Sequence, residues 1–245
     1  MIVGIHQPAY LPWLGYFDRI RQVDLFIYLD TVQFQKGSFQ NRNRVLTGNG
    51  PAWLTVPVET AGKLYSTVLK DIEIDNSRNW QAKHWGTLRM NYAGAPMFRT
   101  VAPELETFYS RPWQRLSDLC LEMLMAFNRM LGIDTRIVRA SELGQVNGRK
   151  SDLVLDLCQR VGATTYLSGS QGKDYLDMES FRSAGIGVQF QHYLTLPYPQ
   201  PVASFVPALG VVDFLFNVPD PANGFAALAE AAVQLAASRQ PEDAP

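Results

Sequence analysis

The sequence predicts an α/β fold: a mostly parallel sheet with a β-hairpin and a helical segment inserted into it. Three observations carry that expectation. Short apolar runs alternate with helical-period stretches along most of the chain. A strand, a short helix and a second strand fit within residues 2–30. A polar stretch and an Asn-Gly pair then interrupt the alternation, as a hairpin does.

The elements follow in order. Residues 2–5 (Ile-Val-Gly-Ile) are a short apolar run that residues 7–12 break. Pro12 suits the first helical position, where its missing N–H costs nothing. Leu14, Phe17 and Ile20 then recur at helical spacing, and residues 25–29 form a second strand that ends at Asp30. A βαβ unit implies neighbouring parallel strands joined by a right-handed crossover. Asn49-Gly50 predicts a turn between strands at 44–47 and 53–58, and a further strand is expected at 68–74. Residues 75–131 read as helical. Asp75, Asn76 or Ser77 caps a helix carrying Trp80, His84 and Leu88, and Gly94 and Pro96 end it. The longest helix is expected at 111–131, with Trp113, Leu116, Cys120, Leu124, Phe127 and Leu131 on one stripe and Gly132 as its stop. Alternation then resumes with a strand at 135–139, a helix at 151–161 and a strand at 164–167. A Gly-rich turn leads to a short helix, a strand at 187–191 and helices near 211–217 and 224–238. The reading is one α/β domain over residues 1–239, with an insertion around 45–131 and a polar tail at 240–245.

Composition narrows the function. The chain has 245 residues, 47% hydrophobic and 18% charged, which excludes a disordered chain. A net charge of −1 gives no drive toward bulk nucleic acid or an anionic membrane. Cys120 and Cys158 fall on apolar helix faces and read as buried free thiols, and no spacing suggests a metal site. No apolar run approaches the roughly 20 residues that span a bilayer. The N-terminus enters a strand without a basic leader, so a cytoplasmic protein without membrane insertion is expected.

Three constellations carry chemistry. His6 sits at the carboxyl end of the first strand, where open α/β sheets bind ligands. The following helix offers free N–H groups to a phosphate or carboxylate, and Gly15 permits close approach. The plainer alternative makes Gln7–Pro12 a structural turn and His6 a core histidine. Asp30 ends the second strand, and Lys36, Arg42 and Arg44 follow among amides with no acid between them. Such a loop clamps an anion or is simply solvated. Ser168-Gly169-Ser170-Gln171-Gly172-Lys173-Asp174-Tyr175 follows a strand and supplies backbone N–H groups, a cation and a carboxylate; the alternative is a generic glycine turn. His84 reads as a packing or surface residue, and the tryptophans at 80, 85 and 113 either stack on sugars or bases or, as is commoner, pack in the core.

Five blocks then resemble the WbqC-like protein family. They are residues 6–17 (HQPAYLPWLGYF), 30–34 (DTVQF) with 40–43 (QNRN), 53–58 (WLTVPV), 166–169 (YLSG) with 173–176 (KDYL), and 197–200 (PYPQ). Their order and joint presence, running to about residue 217, make the resemblance specific. Members of that family occur in bacterial surface-polysaccharide and other biosynthetic settings. One departure is visible: the family usually has Ser where this chain has Gly210. The opening pattern is also similar to nucleotidylyltransferase-type folds of the HUP or Rossmann-like class, including the pantoate–β-alanine ligase group. Gly172-Lys173-Asp174 matches a stretch those enzymes use, although Tyr16 stands where they have a second His.

The resemblance and the strand ends together imply a catalytic set of His6, Asp30, Lys173 and Asp174. The substrate- and phosphate-contacting set is Gln7, Tyr10, Gly15, Tyr16, Gln33, Lys36, Asn41, Arg42, Ser168, Gly169, Gly172 and Tyr175, with no metal. The implied activity is transfer or activation of a group on a phosphate- or carboxylate-bearing biosynthetic intermediate. ATP or another nucleotide is the candidate cofactor, and pathway enzymes are candidate partners. The alternative is a non-catalytic binding protein for a nucleotide-sugar, a glycan precursor or a partner enzyme.

Overall fold

A computed structural model describes residues 1–59, 67–146 and 148–238. Five strands build one sheet: β1 (Ile2–His6), β2 (Leu25–Tyr28), β5 (Arg136–Arg139), β6 (Thr165–Ser168) and β7 (Gly187–Phe190). Their order across the sheet is β5-β2-β1-β6-β7, with every pair parallel. The chain builds outward from β1 through β2 to β5, then returns to the other side of β1 for β6 and β7. The order therefore reverses between β1 and β6. β2 is buried at every position because both of its faces are covered, as parallel strands require.

Each face has its own core. Phe26, Tyr28 and Leu167 pack with Leu14, Phe17 and Ile20 of α1 (Leu14–Arg21). Val3, Ile5, Leu25, Ile27 and Tyr166 pack with Val154, Leu157 and Cys158 of α5 (Ser151–Arg160) and Phe181 of α6 (Met178–Ser183). Asp177 caps α6, its carboxylate accepting from the Glu179 and Ser180 amides. Both cysteines are free and buried.

Between β2 and β5 the chain forms a two-stranded antiparallel hairpin, β3 (Arg42–Thr47) with β4 (Gly50–Thr55), and then three helices. These are α2 (Trp80–Tyr92), α3 (Phe98–Tyr109) and α4 (Leu116–Met130). The chain closes with α7 (Val211–Asn217) and α8 (Pro221–Ser238). No helix among the described residues is long and apolar enough to cross a membrane.

Several expectations need correction. α1 starts at Leu14, with Trp13 as its extended cap, so Pro12 lies ahead of the helix. The hairpin turn centres on Gly48-Asn49, because Thr47 pairs with Gly50. Residues 68–74 form no strand. Leu69–Asp71 is a single 3-10 turn flanked by isolated bridges, Gln33 to Val68 and Val58 to Ile74. Leu69, Ile72 and Ile74 are buried in the larger core, and the Lys70 amide is spent on the Asp30 carbonyl. The helix expected at 111–131 starts at Leu116, after Pro112, and its 15 residues make it shorter than the 18-residue α8, so it is not the longest. Trp113 instead folds back and donates its indole N–H to the Phe108 carbonyl. The expected tail at 240–245 lies outside the described residues.

Candidate functional site

The carboxyl ends of β1 and β6 are adjacent, and the strand order reverses between them. An open parallel sheet forms its ligand crevice at such a point. His6 ends β1, Ser168 ends β6, and Gly169 follows.

His6 is half-buried, edge-on to Tyr16 at 4.6 Å and to Trp13 at 5.7 Å between ring centres. Its Nδ1 lies 2.9 Å from the Gln7 carbonyl oxygen. A carbonyl only accepts, so Nδ1 carries the proton and Nε2 keeps its lone pair. The Tyr16 hydroxyl donates to the same carbonyl at 3.1 Å. Burial, helped by the Arg19 charge, pushes the His6 pKa down to about 3. The ring is neutral near pH 7, a hydrogen-bond acceptor rather than an acid.

Arg19 is the residue that sequence reasoning missed. It sits in the middle of α1, where a charged residue is normally solvated, yet it is only 9% exposed. Its Nε donates to Gln191 Oε1 at 3.0 Å. Gln191 Nε2 donates in turn to the Gly15 carbonyl at 2.9 Å and to Asp18 Oδ2 at 2.7 Å, so the amide cannot turn around. The two Nη groups lie against Gly169, where a Cβ would stand 2.5 Å from Nη2. Glycine is required there for the guanidinium to reach the backbone. Among the described residues no carboxylate forms an ion pair with Arg19. Its neighbour Asp18 is held by Arg21 at 3.1 Å, by Gln22 and by Gln191. Burial lowers the Arg19 pKa, while Tyr166, Tyr16, Tyr175 and the Asp18 carboxylate lie within electrostatic reach and oppose that shift. Helical spacing was the available signal: Arg19 falls three residues after Tyr16 and four after Gly15.

The other candidates divide. Ser168 is buried, and its hydroxyl donates to the Gly169 carbonyl at 3.1 Å. Gly172 packs directly on that hydroxyl. Tyr175 is 41% exposed beside the same turn. Lys173 and Asp174 are exposed, with Lys173 Nζ 5.4 Å from the centre of the Phe190 ring. Asp30 is fully buried and committed elsewhere. One oxygen accepts the Ser141 amide at 3.0 Å, the other accepts the Ser141 hydroxyl at 2.7 Å, and Arg139 lies at 3.8 Å. Gly15 faces Tyr193 and Trp13, which a Cβ would meet at 2.7 and 2.8 Å.

Tyr10 lies in the helical layer. Its hydroxyl is 2.8 Å from both His84 Nδ1 and the Tyr109 hydroxyl. Burial lowers the His84 pKa to about 4. Gln7 accepts from Gln40 at 2.6 Å, and Gln40 accepts the Gln35 amide at 2.7 Å. Asn41 is buried and donates to the Val56 carbonyl. Gln33 and Lys36 are exposed on the same loop. Arg42 donates to the Gly37 carbonyl and lies 4.4 Å over the Trp53 ring. The structure thus gathers His6, Tyr16, Arg19, Ser168 and Gly169 at one end of the sheet. The Arg42 loop connects to them through rings: Trp53 to Phe39 at 5.9 Å, then Phe39 to Trp13 and Trp13 to His6 at 5.7 Å each. At Gly210 a Cβ would stand 2.8 Å from the Leu11 carbonyl oxygen, so this chain has no room for a serine there.

A cavity of about 420 Å³ opens between α1 and α8, lined by Leu14, Leu167, Phe190, Tyr193 and Phe225 among others. Asp18 and His192 also face it.

A Mycobacterium tuberculosis (strain ATCC 25618 / H37Rv) protein, described as uncharacterized protein Rv1507c, is 36% identical over 218 residues. The match covers 88% of this chain and 93% of the relative. No solved structure matches the chain. The model of the WbqC-like protein family matches residues 7–223, and the chain belongs to that family.

Proposed function

We propose that the chain binds a phosphate- or carboxylate-bearing biosynthetic intermediate where β1 and β6 end, and transfers or activates a group on it. The observation that carries this reading is Arg19: a buried guanidinium that forms no ion pair with a carboxylate among the described residues, at the sheet's strand-order reversal. A buried charge without a partner is costly. An anionic ligand supplies the partner, and the planar fork suits phosphate or carboxylate. Arg19 would also stabilise charge that develops during transfer. The order β5-β2-β1-β6-β7 reverses beside β1 as in open, doubly wound parallel sheets, which supports a Rossmann-like reading with ATP or another nucleotide as co-substrate in a cytoplasmic biosynthetic enzyme.

One observation favours the binding-protein alternative. His6 is held neutral and Asp30 is occupied by Ser141, so neither of these two candidates is poised as a strong base. Turnover separates the readings. The protein is incubated with ATP, nucleotide-sugars and acyl or amino donors, alongside equilibrium binding of the same compounds. Replacing Arg19 by Met should weaken binding at least tenfold, since one charge-assisted contact contributes about 1.5–3 kcal/mol. Turnover lost in His6→Ala supports the enzyme, and saturable binding without turnover supports the module. Binding that Arg19→Met leaves unchanged refutes both.

A further inference from the structure

We infer that Trp53, Phe39 and Trp13 form a stepped subsite for a sugar ring on the ligand whose charged group Arg19 holds. The inference rests on the anion reading above and adds the class of ligand. Trp53 is 46% exposed and Phe39 45% exposed, an unusual placement for large aromatics on a hairpin and the loop before it. Trp53 lies directly across the hairpin from Arg44. The guanidinium carbons of Arg42 and Arg44 are 4.4 and 5.9 Å from its ring centre. Residues 31–58 contain no Asp or Glu, and among the described residues Lys36, Arg42 and Arg44 form no ion pair. The surface is therefore aromatic and cationic at once, and it leads by ring contacts to His6.

The geometry favours a saturated ring over a base. Successive rings are tilted by 44°, 51° and 70°, so no two of them form a parallel slot. Trp53 and Phe39 are the exposed steps, and Trp13 is half-buried behind them. A sugar packs its C–H face on such a step while its hydroxyls stay in water, whereas a base gains most from stacking flat against an aromatic plane. The last step agrees. Nε2 of His6 presents a lone pair, which accepts from a sugar hydroxyl and repels a phosphate oxygen. Phosphate on Arg19 and hydroxyls toward His6 describe a phosphorylated or carboxylated sugar.

The test titrates the full chain with inorganic phosphate, with the 1-phosphates of glucose, galactose and N-acetylglucosamine, and with AMP. Trp53→Ala and Phe39→Ala are compared with the parent after circular dichroism has shown the fold intact. At least one sugar phosphate should bind tenfold or more tighter than inorganic phosphate. Either aromatic substitution should remove most of that gain and leave phosphate binding unchanged. If no sugar phosphate exceeds inorganic phosphate, or if AMP gains more and loses it in Trp53→Ala, the sugar subsite is wrong while the anion site stands. Phosphate binding that survives Arg19→Met instead breaks the anion reading beneath it.

Discussion

Arg19 and Asp213 are both buried charged side chains, and the chain treats them oppositely. Asp213 is fully buried and saturated. Tyr92 donates to one oxygen at 2.7 Å, and Tyr198 and Gln200 donate to the other at 2.9 and 2.8 Å. Tyr92 also accepts the Leu46 amide, and Gln200 holds both polar groups of the Val206 backbone. One carboxyl group thus ties the hairpin, α2, the 198–206 segment and α7 together. Arg19 uses one N–H on Gln191 and leaves its fork open. A saturated buried group acts as scaffold, and the anion reading takes the Arg19 fork, which has no carboxylate ion pair among the described residues, as the place for a ligand.

The largest expected effect breaks the scaffold side. Asp213→Ala leaves two hydroxyls and an amide without their acceptor and should cost about 3–5 kcal/mol. The urea midpoint reads that loss, while ligand affinity of the folded fraction should hold. A stable Asp213→Ala protein that no longer binds anions would reverse the comparison.

The ligand side responds to Gln191. Gln191→Glu sets a carboxylate against both Asp18 and Arg19, giving Arg19 the counter-ion it lacks. Anion affinity should fall tenfold or more, roughly 1.4 kcal/mol. Gln191→Met, which only loosens the fork, should cost less. Equal affinity in both variants would remove Gln191 from the orientation of Arg19.

Acid sharpens the contrast next. His6 and His84 have pKa values near 3 and 4 in the folded chain, against about 6.5 for a free imidazole. Between those values the unfolded chain binds more protons, so stability rises with pH and is lost as pH falls below about 6.5. Each histidine should cost on the order of 1–2 kcal/mol at pH 5. Asp213, whose pKa burial raises, works in the opposite direction at lower pH. Urea melts at pH 7 and pH 5 read the slope, and His6→Gln should flatten part of it. A slope unchanged in that variant would mean that His6 titrates normally.

Arg42→Ala should show the smallest effect, a few-fold loss of anion affinity that shrinks with added salt. Arg42 is only half-buried over Trp53 on the hairpin, so its charge is partly screened. A loss as large as that of Arg19→Met would move the anion site out to the hairpin.

The sheet and both strand ends of the site were legible in the sequence. Continuous apolar runs at 2–5 and 25–29, and turns after His6 and Ser168, are local signals. Other features depend on contacts far along the chain. Arg19 reads as an ordinary surface arginine until Gln191, 172 residues later, folds against it. Asp30 reads as catalytic by its place at a strand end, and the Ser141 contacts to both of its oxygens form only in the fold. The strand expected at 68–74 had the right residues but no neighbour to pair with beyond single bridges. Trp53 and Phe39 carry no period that distinguishes an exposed platform from core.

The central claim is that Arg19 is kept unpaired for an anion, and the thermal stability of Arg19→Met tests it most directly. Melting is measured with and without inorganic phosphate, beside the parent chain. Without phosphate the variant should be as stable as the parent or more so, because an uncompensated buried charge has been replaced by an apolar side chain. Phosphate should raise the melting temperature of the parent and leave that of the variant unmoved. A variant that melts well below the parent, with neither protein responding to phosphate, would show that Arg19 holds the fold and not a ligand.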